Sequence, residues 1–341
     1  MTTDELYMQR AMELAILGRG HVSPNPLVGC VIVHDHKIIG EGWHRQYGKA
    51  HAEVNAINQV TDKTLLKSAT LYVNLEPCSH YGKTPPCADL IIGQNIPKVV
   101  VANTDPNPQV NGEGLKKLQA NGINVKEGVL KPEGRELNKR FFTGMEKNRP
   151  YIILKWAQTS DGFLARKNFE SKWISNEHAR QLVHKWRSEE DAVLVGTRTA
   201  QHDNPELTVR DWTGRSPVRI VFDRFLRLSE KSKLFDRTQP TLGYNVIKHE
   251  EHKNLALVRV SEENFLEDVL RDLYQRKIQS VIVEGGAQTL SMFMEKGFWD
   301  EARVFTSSKI FEEGIHAPLM KWHENQHLKI GNDELRVYRN L

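Results

Sequence analysis

Apolar positions in the first part of the chain switch repeatedly between the two-residue period of strands and the helical period of three to four residues. A helix is predicted over 131–150, ending in the polar, proline-stopped run K-N-R-P. The elements predicted before it are a helix over 4–18, strands over 28–33 and 37–41, a helix over 51–60, a strand over 70–75, a helix entered near Cys87, a strand over 98–102, a helix over 113–121 and a strand near 123–127. This order predicts a three-layer α/β domain.

The same rhythm restarts after 147–150, where we place the boundary between two domains, 1–147 and 148–341. Charged stretches at 227–237 and 248–254 are predicted to be surface connections. The regular elements predicted in this half are a strand over 151–157, a helix over 176–188, strands over 191–195 and 218–222, a helix over 263–276 and an apolar strand that runs into two glycines over 280–286. A second α/β domain is therefore expected.

The composition favours a soluble globular protein. The hydrophobic fraction is 39%, the mean hydropathy is −0.53, and no apolar run approaches the roughly 18–20 residues that span a bilayer. The first twenty residues carry early acids and an amphipathic period, which predicts a helix and not an export signal. With 47 basic against 43 acidic residues, the net charge of +4 suits phosphorylated small molecules as well as nucleic acid.

Four residues carry the clearest chemistry: His51 and Glu53 in H-A-E, and Cys78 and Cys87 in E-P-C-S-H-Y-G-K-T-P-P-C. One imidazole and two thiolates can hold Zn²⁺ and leave a fourth position open, which is the arrangement of catalytic zinc sites. Bound zinc lowers the pKa of water to about 7. Glu53 is then placed to move a proton from water to a departing amine, so the motif predicts hydrolytic deamination.

The spacing and use of the cysteines add detail. Common deaminases have two residues between the two cysteines, whereas eight separate Cys78 from Cys87 here, and we expect this insert to touch substrate. Using two of the three cysteines as ligands suits a reducing cytoplasm. Cys30, in the apolar run L-V-G-C-V-I-V, is predicted to be a buried strand residue.

These motifs resemble the RibD family of bifunctional riboflavin-biosynthesis enzymes, in which a pyrimidine deaminase is fused to a reductase. The first half also matches in S-P-N-P-L-V-G (23–29), G-E-G-W-H (40–44) and D-P-N-P-Q-V-N-G-E-G (105–114). The resemblance implies a cytidine-deaminase-like fold for the first domain. It further implies that Asn25 and His44 line the pyrimidine pocket and that Lys83 holds the substrate phosphate, a role that suits a mobile ammonium.

The second half resembles the reductase domain of the same family, which is similar to dihydrofolate reductase and uses NADPH. The matching runs are W-A-Q-T-S-D-G-F-L-A (156–165), E-S-K-W-I-S (170–175), D-N-P-E-L-T-V-R (203–210) and V-E-G-G-A-Q-T-L (283–290). Without the resemblance, V-E-G-G-A-Q-T-L predicts a strand, two glycines and a helix N-terminus that can receive a pyrophosphate. It lacks the G-x-G-x-x-G motif of a dinucleotide-binding Rossmann fold. Three places depart from the family pattern: Gln158, T-S-D-G in place of S-L-D-G, and Phe169 in place of a glycine.

The resemblance implies two sets of contacts in the second domain. Residues expected to contact the cofactor are Gln158, Trp173, Thr199, Asp203, Gly286, Ala287, Gln288, Thr289 and Leu290. Residues expected to contact the substrate are Ser171, Arg187, Leu207, Arg210 and Glu284. The two arginines suit a phosphate because the planar guanidinium binds oxyanions with two hydrogen bonds.

The expected activity is hydrolytic deamination of 2,5-diamino-6-(5-phosphoribosylamino)pyrimidin-4-one, followed by NADPH-dependent reduction of the ribosyl group to ribityl. We expect Zn²⁺ and NADPH as cofactors, a small phosphorylated pyrimidine as substrate, no nucleic acid or membrane partner, a homo-oligomer and a cytoplasmic location. One alternative is a nucleic-acid base deaminase, which would need a basic groove and short cysteine spacing. Another is a binding or regulatory module, which the departures at 158–169 leave open for the second domain.

Overall fold

The computed structural model describes residues 1–79, 81, 85–107, 110–171 and 174–340. The chain divides into two compact units, Met1–Asn148 and Arg149–Leu341. No helix within the described ranges is long and apolar enough to cross a bilayer.

The first unit is built on a five-stranded sheet in its described part, with order β2-β1-β3-β4-β5. Strands β1 and β2 pair antiparallel, as do β1 and β3, whereas β3, β4 and β5 are parallel. The strands are β1 (Gly29–His34), β2 (Lys37–Trp43), β3 (Thr70–Leu75), β4 (Lys98–Asn103) and β5 (Asn124–Glu127). The helices are α1 (Thr3–Ile16), α2 (Ala52–Gln59), α3 (Cys87–Gly93), α4 (Glu113–Ala120), α5 (Lys131–Leu137) and α6 (Lys139–Lys147), with a 3₁₀ turn at Lys63–Ser68.

Alternating apolar residues along these strands build the three layers. Cys30 and Ile32 of β1 belong to the cluster that includes apolar residues of α2, α3 and α4. Val31 and Val33 point to the other face and belong to the cluster that contains the apolar side of α1. Since successive strand residues face opposite sides, one continuous apolar strand supplies both cores. The predicted three-layer α/β fold is confirmed, and Cys30 is fully buried as expected.

The helix predicted over 131–150 is instead two helices, α5 and α6, joined at Asn138. The backbone of Asn138 leaves the helical region, with φ −101° and ψ 20°. Its buried amide accepts a hydrogen bond from Leu27 N (2.8 Å) and donates one to Leu27 O (2.9 Å). The break is therefore set by a contact to a distant loop, which an uninterrupted helical period does not reveal.

The second unit contains a ten-stranded sheet in its described part, with order β11-β12-β10-β9-β8-β13-β6-β14-β17-β16. The strands from β12 to β14 in this order are parallel, and the remaining pairs at both edges are antiparallel. Its strands are β6 (Tyr151–Gln158), β7 (Phe163–Ala165), β8 (Ala192–Gly196), β9 (Val218–Phe222), β10 (Thr241–Asn245), β11 (Glu250–His252), β12 (Leu255–Arg259), β13 (Ser280–Val283), β14 (Glu301–Thr306), β15 (Ile315–His316), β16 (Glu324–Ile330) and β17 (Asp333–Arg339), of which β7 and β15 form a separate pair.

Helices cover both faces of this sheet. Its helices are α7 (Glu177–Glu189), α8 (Thr197–Asp203), α9 (Phe265–Gln275) and α10 (Ala287–Glu295), with a 3₁₀ turn at Lys233–Phe235. On β6, Ile152 and Leu154 pack into the cluster with α9 and α10, while Ile153 packs into the cluster with α7. The parallel strands are thus buried on both faces, which explains why their sequences are continuously apolar.

The prediction that 248–254 is only a surface connection is wrong, because residues 250–252 form the edge strand β11 beside β12. An edge strand exposes its side chains and one row of backbone groups to solvent. Its sequence, here E-E-H, can therefore be as charged as that of a surface loop.

Candidate active sites

His51, Cys78 and Cys87 lie together in the first unit. His51 is the N-cap residue of α2, Cys87 opens α3, and Cys78 follows β3 after the turn at Pro77. His51 Nδ1 lies 3.6 Å from Cys78 Sγ and 3.3 Å from Cys87 Sγ. The three ligand atoms all lie within 4.8 Å of one another. The structure therefore assembles three predicted zinc ligands from three separate elements.

The chemistry of this donor set fits zinc. One ring nitrogen and two sulfurs are typical zinc ligands, and three protein ligands leave a position open for a reactant. Two hydrogen bonds lower the pKa of the Cys78 thiol to about 4, and the one with Cys87 has a larger effect than the one with His51. The backbone N–H of Cys87 also donates to Cys78 Sγ at 3.3 Å. Cys78 is thus held as the thiolate, the form that binds metal, while the hydrogen bond with Cys78 and burial raise the pKa of the Cys87 thiol.

Glu53 stands in the first turn of α2, two residues after His51, and is only 3% exposed. Its Oε2 is buried and accepts no hydrogen bond from the described residues. Burial raises the pKa of this carboxyl, so the protonated form becomes more accessible. A buried carboxyl oxygen beside a candidate metal site, with no hydrogen-bond partner among the described residues, is suited to exchanging protons with a bound reactant.

Asn25 and His44 form a pair next to the candidate metal site. Asn25 Nδ2 lies 3.1 Å from His44 Nε2, and the other ring nitrogen of His44 lies 3.1 Å from Ala50 O. A carbonyl only accepts, so Nδ1 carries the proton and Nε2 accepts from the Asn25 amide. Burial lowers the pKa of His44, which favours this neutral form. Its ring packs edge-on against His51 at 5.4 Å, so His44 orients Asn25 beside the metal ligands.

Lys83, predicted to hold the substrate phosphate, lies outside the described residues. Its role therefore stays a prediction.

Glu76 is a site residue that the sequence did not reveal. Its buried carboxylate accepts backbone N–H groups from the 105–114 run: Asp105 at 3.0 Å, Gly112 at 2.9 Å and Gly114 at 2.8 Å. A Cβ on Gly114 would lie 2.1 Å from Pro77 O, so only glycine allows this approach. Glu76 thereby holds the turn that carries Cys78. A glutamate before Pro-Cys gives no sign of these distant backbone partners.

We expect Glu76→Ala to destabilise the first unit by about 3 kcal/mol, because several buried N–H groups lose their acceptor. Glu76→Gln keeps one acceptor oxygen and should give a smaller loss. Urea unfolding followed by circular dichroism, with zinc content measured on the same samples, tests this. A change in the free energy of unfolding below about 0.5 kcal/mol for Glu76→Ala would contradict the role.

In the second unit, a cavity of about 940 Å³ brings together most of the residues predicted to bind cofactor or substrate. Predicted residues that line it are Ser171, Arg187, Thr199, Asp203, Leu207, Arg210, Glu284, Gly286, Ala287, Gln288 and Thr289. Gln158 and Leu290 are described but are not part of this lining. The Gln158 side chain accepts from Trp156 Nε1 at 2.8 Å, and Leu290 is fully buried in the core. Trp173 lies outside the described residues.

Glu284 and Arg187 form the charged centre of this cavity. Arg187 Nε and Nη2 donate to the two carboxylate oxygens of Glu284 at 2.7 Å and 3.0 Å. Lys155, which the sequence analysis missed, lines the same cavity with its Nζ 3.6 Å from Glu284 Oε2. Burial raises the pKa of Glu284, but the charges of Arg187 and Lys155 outweigh it and hold the value at about 2. Burial lowers the pKa of Lys155, which makes its ammonium a stronger acid.

The low pKa of Glu284 predicts a pH dependence of stability. A carboxyl whose folded-state pKa is depressed from 4.5 to about 2 stabilises the fold above about pH 5, and this contribution is lost as the pH falls toward 2. It is of order 3 kcal/mol at neutral pH. The difference in unfolding free energy between the wild type and Glu284→Gln should therefore shrink on acidification. Denaturant unfolding at several pH values measures it, with the exposed Glu230→Gln as control. A pH-independent difference would contradict the assignment.

Gly285 and Gly286, just after β13, allow their backbone to approach the side chains of Thr199 and Thr289 closely. Gly286 N donates to Thr199 Oγ1 at 2.9 Å, which ties the start of α10 to α8. A Cβ on Gly285 would lie 2.8 Å from Thr289 Cβ. The close approach leaves the opening turn of α10 exposed to the cavity, where backbone N–H groups can meet an anion.

Phe169 stands where the family resemblance implies a glycine, and its backbone conformation is one that glycine favours. Its φ is 68°, in the left-handed region that favours glycine. The ring stacks on His202 at 4.3 Å with an angle of 10°, and both side chains line the cavity. Phe169 and His202 therefore form an aromatic part of the cavity wall.

Comparison with protein families gives two matches that together cover most of the chain. Residues 1–103 match the cytidine and deoxycytidylate deaminase zinc-binding region, and residues 150–333 match the RibD C-terminal domain. The first match contains His51, Glu53, Cys78 and Cys87, and the second contains Lys155, Arg187 and Glu284.

Similar full-length proteins share both halves. The riboflavin biosynthesis protein RibD of Aquifex aeolicus is 44% identical over 318 residues, which is 92% of this chain and 89% of the relative. That of Escherichia coli is 36% identical over 370 residues, covering 95% and 96%. The crystal structure of a diaminohydroxyphosphoribosylaminopyrimidine deaminase/5-amino-6-(5-phosphoribosylamino)uracil reductase from Thermotoga maritima superposes with a TM-score of 0.91 at 39% identity, covering 99% of both chains.

Proposed function

The chain belongs to the RibD family of riboflavin biosynthesis proteins, and from this premise we propose which of its residues carry out each of two reactions. It is a bifunctional enzyme with a deaminase unit followed by a reductase unit. The proposed substrate is 2,5-diamino-6-(5-phosphoribosylamino)pyrimidin-4-one, whose ring amine is hydrolysed before the ribosyl group is reduced to ribityl. The cluster of His51, Cys78 and Cys87 with buried Glu53 beside it is the observation that carries the first step.

In the deaminase unit, His51, Cys78 and Cys87 would hold zinc. When bound, zinc would supply a water of lowered pKa as the nucleophile. Glu53 accepts a proton at Oε2 from the attacking water and returns it to the departing amine, so that ammonia leaves. Asn25, oriented by His44, retains its amide oxygen for the pyrimidine ring. Lys83 is proposed to bind the phosphate.

In the reductase unit, the cavity around Glu284 binds the deaminated ribosylamine. NADPH, when bound, supplies a hydride to C1′ of the ribosyl group. As C1′ gains hydrogen, the bond from C1′ to the ring oxygen breaks and that oxygen must gain a proton. Lys155 is proposed to donate it, since its buried ammonium faces the cavity and its pKa is lowered. Arg187, held by Glu284, and Arg210 orient the substrate, while the opening turn of α10 receives the pyrophosphate of the cofactor.

The remaining assignments concern partners and location. We propose a small-molecule substrate without nucleic acid, supported by the long insert between the zinc ligands. A cytoplasmic location is supported by Cys30, Cys78 and Cys87, which are all free thiols. A homo-oligomer is proposed because β16 ends the ten-stranded sheet with an exposed strand, an edge suited to association. Light scattering on the purified chain decides the last point, with a monomeric mass counting against it.

Two assays test the two reactions separately. Purified protein should contain zinc and release ammonia from the diamino substrate, and absence of both would refute the deaminase assignment. NADPH absorbance should fall when the deaminated intermediate is added. Absence of a fall that depends on this intermediate would count against the reductase assignment and favour a binding or regulatory role for the second unit.

A further inference from the structure

Two of the residues predicted to contact the substrate, Leu207 and Arg210, lie on the run 204–210, which has no regular secondary structure. Leu207 anchors the middle of this run, because its side chain is only 2% exposed and packs into an apolar cluster. The Arg210 guanidinium has a weaker anchor, since Nη1 lies 3.6 Å from Glu206 Oε2 and the two side chains are 52% and 39% exposed. Its position therefore depends on what holds the backbone of Arg210.

His184 and Arg187, one turn apart on α7, hold this backbone. Arg187 Nη1 donates to Thr208 O at 3.1 Å, and His184 Nδ1 accepts from Arg210 N at 3.2 Å. Residues three apart lie on the same face of a helix, and both side chains line the cavity. Because Arg187 also binds the two carboxylate oxygens of Glu284, one face of α7 connects the charged centre of the cavity with the backbone of Arg210.

The hydrogen bond with Arg210 determines the tautomer of His184. A backbone N–H only donates, so Nδ1 is free of a proton and Nε2 carries it. Nε2 lies 3.4 Å from Asp211 Oδ2, toward which it can donate. The ring is only 5% exposed. Protonation of Nδ1 would place a second donor opposite the backbone N–H, so only the neutral ring can make this bond.

Charged groups from three parts of the unit act on His184. Burial has the largest effect and lowers the pKa of the ring from its ordinary value of 6.5. Arg187 on α7 and Arg210 on the run lower it further, whereas Asp211 and Glu284, which follows β13, raise it. The result is a lowered pKa, so the ring is neutral at pH 7, as its hydrogen bond requires.

We propose that His184 is a positioning residue of the reductase, which holds the backbone of Arg210 so that the guanidinium meets an anionic group of the substrate. This inference rests on the proposed role of Arg210 in orienting the deaminated ribosylamine. An arginine that contributes to binding and not to hydride transfer affects KM and leaves kcat unchanged. Loss of the contact from His184 should have the same signature.

The test is steady-state oxidation of NADPH with the deaminated intermediate, near neutral pH. His184→Leu removes the acceptor, whereas His184→Asn keeps one, because asparagine Oδ1 takes nearly the place of Nδ1. We expect KM for the intermediate to rise about tenfold in His184→Leu and to stay within about threefold of the wild type in His184→Asn, with kcat changed less than about threefold in both. His178→Leu, at an exposed position of the same helix, is the matched control and should behave as the wild type.

A double-mutant cycle with Arg210→Gln shows whether His184 acts through this arginine. The Arg210→Gln variant keeps the backbone N–H that His184 accepts, so only the guanidinium is lost. We expect Arg210→Gln to raise KM by itself, and His184→Leu to raise it by less than about twofold more in that background.

The pH dependence of KM gives a second readout, which a merely structural role would not change. As the pH falls below about 6.5, toward the lowered pKa of His184, the ring takes up a proton and its hydrogen bond with Arg210 is lost. KM of the wild type should therefore rise on acidification relative to KM of His184→Asn, which has no ring to protonate. The substrate phosphate also titrates near pH 6, but it does so equally for both proteins, so the ratio of the two KM values reports on His184.

Unchanged KM in His184→Leu, while Arg210→Gln raises it, would overturn the positioning role and leave Arg210 as a substrate residue. Effects that multiply in the double variant, or a fall in kcat at constant KM, would overturn it too. If His184→Leu does not fold, a KM ratio between wild type and His184→Asn that is independent of pH overturns the proposal. If Arg210→Gln leaves KM unchanged, the roles of Arg210 and His184 are both wrong. A wild type without intermediate-dependent NADPH oxidation would instead refute the proposed function itself.

Discussion

Glu53→Gln is expected to lower the rate of deamination by about 10²–10⁴-fold while zinc remains bound. The amide has nearly the shape of the carboxyl, and Oε2 has no hydrogen bond to a described residue that the change would break. The ligands His51, Cys78 and Cys87 stay in place, so metal content should equal that of the wild type. What is lost is a group that both accepts and returns a proton.

Ammonia release under saturating substrate, with zinc measured on the same protein, tests this expectation. Glu133→Gln, at an exposed position of α5, is the matched control and should behave as the wild type. Turnover retained in Glu53→Gln would refute the proton-transfer role. Loss of zinc together with activity would instead assign Glu53 to the integrity of the metal site.

Lys155→Met is expected to lower the reductase rate by about 10²–10⁴-fold and leave deamination unchanged, so that the deaminated intermediate accumulates. Methionine has a similar length, and Glu284 keeps its two hydrogen bonds to Arg187. The loss should therefore concern the proton supplied to the ring oxygen, not the fold.

NADPH oxidation with the deaminated intermediate measures the effect. Lys253→Met, at an exposed position between β11 and β12, is the control and should leave both rates unchanged. If Lys155→Met raises KM for the intermediate but preserves kcat, Lys155 binds substrate without donating a proton. Unchanged kcat/KM would remove it from the site altogether.

Much of the first site can be predicted from the sequence, because its metal ligands stand next to helices and strands with a clear hydrophobic period. His51 begins a predicted helix, and Cys78 follows a predicted strand, so the order of the motif already places them at one edge of a sheet. Glu76 could not be found in this way, since its partners are backbone N–H groups of the 105–114 run and not side chains. The break at Asn138 is hidden for the same reason, because a hydrogen bond to Leu27 causes it.

The second site is harder to predict because its ion pairs join residues that are far apart in the sequence, such as Arg187 and Glu284. Lys155 lies within an apolar strand, and only the fold places it beside Glu284. Phe169 departs from the glycine that the resemblance implies, yet its φ of 68° lies in the left-handed region that glycine favours.

The central claim is that one chain carries two successive reactions in two separate sites. Mass spectrometry of the products formed from the diamino substrate, with and without NADPH, tests it most directly. Without NADPH we predict only the deaminated ribosyl compound, about 1 Da heavier because an amine is replaced by oxygen. With NADPH we predict that compound plus two hydrogens. No mass change without NADPH, or the same product in both samples, would contradict the account.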